Sequence, residues 1–142
     1  MPLPVYGKGA QVREWLYVED HCRALEQVVR RGRPVEIYNL GSGHRLSNLQ
    51  VVETLLRLLD KPPSLFQFVA DRPGHDFRYA LDSSKARREL EWQPQTDWET
   101  GLRQTIQWYR DNQSWIQSAK DMSYQQYYSQ MYKTRERFLK SL

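Results

Sequence analysis

The spacing of hydrophobic and polar positions changes several times along the chain, and each change predicts an element. Pro2-Leu3-Pro4-Val5-Tyr6-Gly7-Lys8-Gly9 carries no helical period. Two prolines hold the residues before them extended and two glycines mark a turn, so the opening reads as a loop. Over residues 11–17 apolar and polar side chains alternate, imperfectly, as in a short strand. Ala24, Leu25, Val28 and Val29 then recur at helical spacing between the acidic pair Glu19-Asp20 and the basic pair Arg30-Arg31. Both pairs suit the helix dipole and Gly32 suits the C-terminal cap, which predicts a helix over 18–31. Residues 35–40 are rich in strand formers and end at the flexible Gly41-Ser42-Gly43.

The second half repeats the alternation. Ser47-Asn48-Leu49-Gln50 has the form of a capping box, and Leu49, Val52, Leu55, Leu56 and Leu59 make an amphipathic stripe that stops before Pro62-Pro63. Residues 65–70 read as a strand, broken by Arg72-Pro73-Gly74-His75 and resumed over 78–81. Asp82 caps a short helix over 84–90, with Ala86 and Leu90 on one side. Thr96-Asp97-Trp98-Glu99 is a second capping box, opening a long helix whose Leu102, Ile106 and Tyr109 share a face with Trp98. Beyond Ser118 the apolar order fades. The tail, with Tyr124, Tyr127, Tyr128, Met131, Tyr132 and Phe138 among polar residues, reads as a weakly docked or partly disordered segment. Strands and helices in alternation imply a mixed α/β architecture.

Composition narrows this picture. The 142 residues allow one domain at most, and a hydrophobic fraction of 39%, which includes nine Tyr, gives a thin core to which five Trp add apolar surface. We expect a folded domain that lacks a neighbour. The single Cys excludes an intramolecular disulfide framework, and the N-terminus has neither the charge nor the apolar stretch of a signal peptide. With no membrane-length apolar run, the expected compartment is the cytoplasm. A net charge of +4, a pI near 9.3 and the run Arg30-Arg31-Gly32-Arg33 raise nucleic-acid binding. Acidic residues interleave with the basic ones and no nucleic-acid fold signature is present, so that class is set aside.

Catalytic fingerprints are missing from the chain. It contains no Gly-x-Gly-x-x-Gly, Walker loop, Cys-x-x-Cys, His-Glu-x-x-His or Gly-x-Ser-x-Gly. His21 and Cys22 are neighbours that diverge by about 100° on a helix, and His44 and His75 lie in turns, so no metal site is expected. What remains is a set of anion-binding and ring-stacking residues in loops. Arg13 and Arg72 each carry a planar fork suited to phosphate oxygens, although a single such Arg is more often a solvated charge. His75 offers a polar contact in the same turn as Arg72. Tyr6, beside Pro4, offers a flat face to a nucleobase or packs under its own loop. Asn48 offers an amide to a ligand or shares with Ser47 the capping of its helix.

Three runs give these residues a common context: Pro2-Leu3-Pro4-Val5-Tyr6-Gly7 through Val12-Arg13-Glu14-Trp15-Leu16-Tyr17-Val18-Glu19-Asp20-His21, then Val35-Glu36-Ile37-Tyr38-Asn39-Leu40-Gly41, then Ala70-Asp71-Arg72-Pro73-Gly74-His75-Asp76. With Arg78-Tyr79-Ala80-Leu81-Asp82, Glu89-Leu90-Glu91-Trp92-Gln93-Pro94 and Trp98-Glu99-Thr100-Gly101-Leu102, they resemble the C-terminal portion of the dTDP-glucose 4,6-dehydratases, which are extended short-chain dehydrogenases. That resemblance implies an NAD-dependent lyase whose N-terminal Rossmann half, with the glycine fingerprint and the Tyr-x-x-x-Lys pair, lies outside this sequence. Residues 1–45 are then expected to pack on that half, 46–118 to form the sugar-nucleotide domain and 119–142 to be a tail.

The resemblance assigns Pro4 and Tyr6 to the thymine end of a dTDP-sugar and Arg13, Asn48 and Arg72 to its diphosphate, with His75 and Tyr132 as further contacts. It assigns no catalytic residue and no bound cofactor to this chain, with NAD belonging to the complete enzyme. The chain is expected to be inactive alone, as a truncated product or one half of a split enzyme, partnered by a separate Rossmann half or by itself. The competing expectation is an interaction module without ligand binding. Two departures stand out: Gly41-Ser42-Gly43-His44-Arg45-Leu46 replaces the usual Gly-Gly-His-Asn-Glu turn, and Phe77 stands where an Arg is common.

Overall fold

The computed structural model describes residues 2–120 and Gln126. In chain order the elements are β1 (Leu3–Tyr6), β2 (Val12–Glu14), α1 (Val18–Arg31), β3 (Arg45–Ser47), α2 (Asn48–Leu58), a 3₁₀ turn (Pro63–Leu65), β4 (Phe66–Val69), α3 (Ser84–Leu90), α4 (Trp98–Asp111) and α5 (Gln113–Ala119). The architecture is mixed α/β, with β1 parallel to β4 and β2 antiparallel to β3 in two separate two-stranded sheets.

The opening is not wholly the loop its prolines suggest. Residues 3–6 form a strand registered from Leu3↔Phe66 to Tyr6↔Val69. Among the described residues β1 has β4 as its one strand neighbour. An edge strand tolerates a residue without an N–H, as Pro4 is. Strand alternation puts Pro4 and Tyr6 on one face and the buried Val5 on the other. Gly7 N–H extends the ladder to Val69 O (2.9 Å), and the chain then turns through Gly9 at a φ of 67°. A Cβ on Gly9 would lie 2.9 Å from Val5 Cγ1 and 3.0 Å from Leu49 Cβ, so this close approach requires glycine.

Two further expectations are corrected. Residues 35–40 form no strand: among the described residues no strand pairs with them, Glu36 N–H turns back to Arg33 O (3.3 Å), and Val35 and Ile37 are 104% and 80% exposed. A strand needs a neighbour to pair its backbone, and here side chains hold the segment instead. Lys85 Nζ donates to Ile37 O (2.9 Å) and pairs with Glu36 (2.6 Å), while Tyr38 donates to Glu89 (3.0 Å). Residues 78–81 contribute only an isolated bridge between Arg78 and Val12, and the strand expected over 11–17 is confined to β2.

α1 has the bounds its charges and spacing predict, but its stripe is only partly covered. Ala24 is buried and Val28 packs on the core, while Leu25 and Val29 are exposed. Gly32 closes the helix by donating to Val28 O (2.8 Å) in extended geometry, not the left-handed cap. The core joins α1 to α3 through Ala24, Ala86, Leu90 and Trp92, with Leu16, Val28, Tyr38 and Leu40 around them.

The first capping box is complete: Ser47 accepts from Gln50 N–H and the Gln50 side chain accepts from Ser47 N–H. Replacing Ser47 with alanine is expected to lower stability by about 1 kcal/mol, read as a reduced urea midpoint at unchanged slope. The second box is shifted by one residue. Asp97, not Thr96, accepts from Thr100 N–H (3.0 Å), and Glu99 turns to Arg57 (2.7 Å) and Arg103 (2.6 Å). At α3 the Asp82 carboxylate accepts from Ser84 N–H (2.9 Å), as a capping group should.

The chain divides into two compact units, 1–103 and 104–142, with the boundary inside α4. Within the second, Trp108 meets Tyr109 and Trp115 edge-on at 5.4 and 5.2 Å. Expectations for residues 121–142, Tyr132 included, fall outside the described residues apart from Gln126. No helix among the described residues is long and apolar enough to cross a membrane.

Candidate functional site

Strand pairing assembles the site within the first unit. Parallel pairing of β1 with β4 sets Tyr6 beside Val69, so the turn that follows β4 emerges next to the Tyr6 ring. The Arg72 guanidinium lies 5.5 Å from that ring's centre, and the His75 imidazole meets it edge-on at 6.3 Å. Pro4 is on the same face of β1 as Tyr6.

Arg13 reaches the region from β2. Its Nη1 donates to Val12 O (2.8 Å), its Nη2 to Asp76 O (2.9 Å), and its plane covers the Tyr79 ring at 4.6 Å. Residues 76–79 are locked against β2 by Val12 N–H to Phe77 O (2.8 Å) and Tyr79 N–H to Val12 O (3.1 Å). Two of the five Arg13 N–H donors are used on carbonyls, which leaves the rest of the fork for a ligand. Neither Arg13 nor Arg72 has a carboxylate partner among the described residues.

Tyr79 connects the two arginines. Its hydroxyl donates to the Asp76 carboxylate, which together with burial and the Asp76 charge holds the phenol above its ordinary range, while Arg13 and Arg72 both pull it down. Two guanidinium groups 59 positions apart in sequence therefore act on one phenol. An unneutralised pair of planar cations beside aromatic faces suits a multiply charged anion carrying a flat ring.

Asn48 is the first residue of α2 and donates its backbone N–H to Gln11 O (3.0 Å). Because Ser47 caps the helix, the Asn48 carboxamide makes no hydrogen bond among the described residues. The structure thus gathers Pro4, Tyr6, Arg72 and His75 around β1 and places Arg13 on β2, with Asn48 just after β3, the strand that pairs with β2. Tyr132 lies outside the described residues.

Three supporting residues escaped the sequence reading as individual functional candidates. Glu14, with 5% of its side chain exposed, accepts from Gly43 N–H (2.8 Å), Leu81 N–H (2.9 Å) and Arg45, tying the 41–45 turn and the 76–81 segment to β2. Burial pushes its carboxyl up, but these donors outweigh it and hold the group below the usual range. Tyr79 supports Arg13. Asp71 anchors the 71–75 turn, its carboxyl held low by the bond from His75 against a smaller effect of burial, with further help from Arg72 N–H and Gln11. Glu14 alternates in phase with the apolar Val12 and Leu16, an acid where an apolar residue would be ordinary, and that was the signal available. Among the described residues no three His, Cys, Asp or Glu side chains group as metal ligands.

Comparison with known proteins places this geometry in context. A family profile described as GDP-mannose 4,6 dehydratase matches residues 1–105. The dTDP-glucose 4,6-dehydratase of Salmonella typhimurium is 47% identical over 142 residues, covering 95% of this chain and 39% of that protein. The chain therefore spans about two fifths of the length of the curated relatives it matches. Among solved structures, the dTDP-glucose 4,6-dehydratase DesIV of Streptomyces venezuelae, with NAD and TYD bound, is 46% identical with a TM-score of 0.77, over 80% of this chain and 35% of that one. The UDP-glucose 4-epimerase of Thermotoga maritima, with UDP-glucose, is 29% identical with a TM-score of 0.70, over 78% and 35%.

Proposed function

Since the chain belongs to the family of GDP-mannose 4,6-dehydratase and is a partial relative of the dTDP-glucose 4,6-dehydratases, we propose that it forms the sugar-nucleotide-binding portion of such an enzyme and performs no dehydration alone. The observation that carries this reading is the pair Arg13 and Arg72, neither matched by a carboxylate among the described residues, the first over the Tyr79 ring and the second over the Tyr6 ring. In this reading their forks take the diphosphate, Asn48 adds an amide donor, and Tyr6 with Pro4 takes the thymine ring. A thymidine nucleotide supplies both features, a dianionic linker and a flat apolar base.

NAD supplies hydride exchange in dehydratases of this kind, and the described residues do not fit it. A dinucleotide needs a glycine-rich turn opening a helix after a strand. α1 follows β2 with no glycine and opens on Glu19 and Asp20, while the start of α2 is closed by Ser47 and Gln50. We therefore assign NAD to the part of the enzyme beyond this sequence. The exposed Val18, Leu25, Val29, Val35 and Ile37 support the same division, because apolar side chains grouped on one helix and its following segment suit a protein neighbour. The expected neighbour is the Rossmann half; self-association of this face is the alternative arrangement.

The test is to incubate the purified chain with dTDP-glucose and NAD⁺, following thermal unfolding and product together. A raised unfolding temperature without any 4-keto-6-deoxy sugar is the expected result. Product formation would overturn the assignment of a binding portion, since catalysis requires groups acting on the transition state.

A further inference from the structure

A chain of hydrogen bonds runs behind the 71–75 turn. Gln11, 5% exposed, donates from Nε2 to Asp71 Oδ2 (2.6 Å). The other Asp71 oxygen accepts from Arg72 N–H (2.8 Å) and faces His75 Nδ1 at 2.6 Å. Gly7 presses on the same carboxylate: a Cβ there would stand 2.8 Å from Asp71 Oδ2. The imidazole itself is enclosed, with 4% of its side chain exposed, and its Nε2 has no hydrogen-bond partner among the described residues.

The chemistry of the donors fixes the direction of every bond. An ionised carboxylate can only accept, so His75 Nδ1 must carry the proton and Gln11 must present its amino group. Turning the Gln11 amide over would set oxygen against oxygen. The present orientation leaves Gln11 Oε1 buried without a partner among the described residues, a destabilising arrangement that nevertheless keeps the N–H on Asp71. In the neutral ring, protonation at Nδ1 puts the lone pair on Nε2. The low range of the Asp71 carboxyl is consistent with its staying ionised throughout.

We infer that Gln11 and Asp71 are positioning residues that hold His75 in its Nδ1–H tautomer, so that Nε2 accepts a hydrogen bond from a hydroxyl group of the bound ligand. This deepens the sugar-nucleotide reading and rests on it, because the hydroxyl belongs to the nucleotide sugar. The ionised phosphate oxygens carry no proton to give and are left to Arg13 and Arg72. Two hydroxyl sources share this chemistry, the hexose and the deoxyribose.

The experiment is imidazole ¹⁵N–¹H correlation NMR on residues 1–142 at pH 8.5, with His75 assigned by comparison to His75→Gln. The free wild type is expected to show His75 with Nδ1 protonated and Nε2 bare. In Asp71→Asn, whose carboxamide can turn either face to the ring, that preference is lost. Gln11→Met, which keeps volume and removes the amide, weakens it. Adding dTDP-glucose shifts the Nε2 signal, and adding dTDP shifts it equally only if the deoxyribose supplies the hydroxyl. Affinity for dTDP-glucose falls about 3- to 10-fold in Asp71→Asn, while Asp71→Asn and wild type unfold with the same cooperativity. An Nε2–H tautomer in the free wild type overturns the inference and leaves the sugar-nucleotide reading standing. An Nε2 signal unmoved by a nucleotide sugar that demonstrably binds also overturns it. No binding of either nucleotide to a protein whose His75 is Nδ1–H overturns the hydroxyl contact together with the function it rests on, and confines Gln11 and Asp71 to ordering the turn.

Discussion

Replacing Asp20 with alanine is expected to lower the unfolding free energy by about 3–5 kcal/mol, the largest single effect on stability in the described chain. Its side chain is 0% exposed and accepts from Gln95 N–H (2.9 Å), Thr96 N–H (3.0 Å) and Arg23, while its backbone carbonyl receives Trp92 Nε1–H (3.1 Å). One carboxylate thus fastens the start of α1 to the segment that leads into α4. Arg23 is partly exposed and can return to water, but the two backbone donors cannot, and each orphaned N–H costs about 1–3 kcal/mol. Set against a total of about 5–15 kcal/mol, the loss leaves little margin.

The same residue sets a pH dependence. Burial pushes the Asp20 carboxyl up, but Gln95 N–H, Arg23 and both the hydroxyl and N–H of Thr96 outweigh it and hold the group below its ordinary range. A depressed folded pKa gives stability that is complete above the unfolded value, about 3.9, and is lost as pH falls through the folded one. Urea unfolding from pH 6 down to pH 2 should therefore show the wild type losing its advantage over Asp20→Asn below about pH 4. Equal slopes in the two proteins would mean the carboxylate is not ionised where the structure needs it.

Arg13→Ala and Arg72→Ala are each expected to weaken binding of a thymidine diphosphate about 10- to 100-fold, equivalent to about 1.5–3 kcal/mol for a hydrogen bond to a charged group. The effect falls chiefly on affinity, since neither guanidinium takes part in an ion pair among the described residues, although Arg13→Ala also gives up its bonds to Val12 O and Asp76 O. Arg→Lys should recover only part of the loss at either site, because a point charge cannot span two oxygens in one plane. The double variant should lose less than the product of the single effects, as both cations act on the same phenol of Tyr79. Calorimetric dissociation constants at one fixed ionic strength measure the wild type and all five variants. Wild-type affinity in both single variants would remove the diphosphate from this site.

Much of the fold is legible in the sequence wherever local chemistry decides it. The bounds of α1 follow from Glu19-Asp20 and Arg30-Arg31, the start of α2 from Ser47 and Gln50, and α3 from Asp82, because caps and dipoles act within one turn. What depends on a distant partner is not legible. Residues 3–6 are a strand only because β4 lies beside them, 63 positions away, and residues 35–40 are not a strand because no neighbour pairs with them among the described residues.

The site divides along the same line. Residue type suggested Arg13, Arg72, His75, Tyr6 and Asn48 as candidates, and the family resemblance grouped them, but nothing in their spacing reveals that Tyr79 is the surface on which Arg13 rests. Nor does it reveal that Gln11 and Asp71 meet across 60 positions. Those relations come from β1 pairing with β4 and from Val12 bonding to residues 77–79, and pattern within a window cannot show them.

The most direct test of a nucleotide-diphosphate site in this chain is a calorimetric titration of purified residues 1–142 with dTDP at about 50 and about 500 mM salt. Saturable one-to-one binding, weaker at the higher salt because two partly exposed arginines are screened, is the result predicted here. A sample that unfolds cooperatively yet gives no saturable heat at either salt concentration would contradict it.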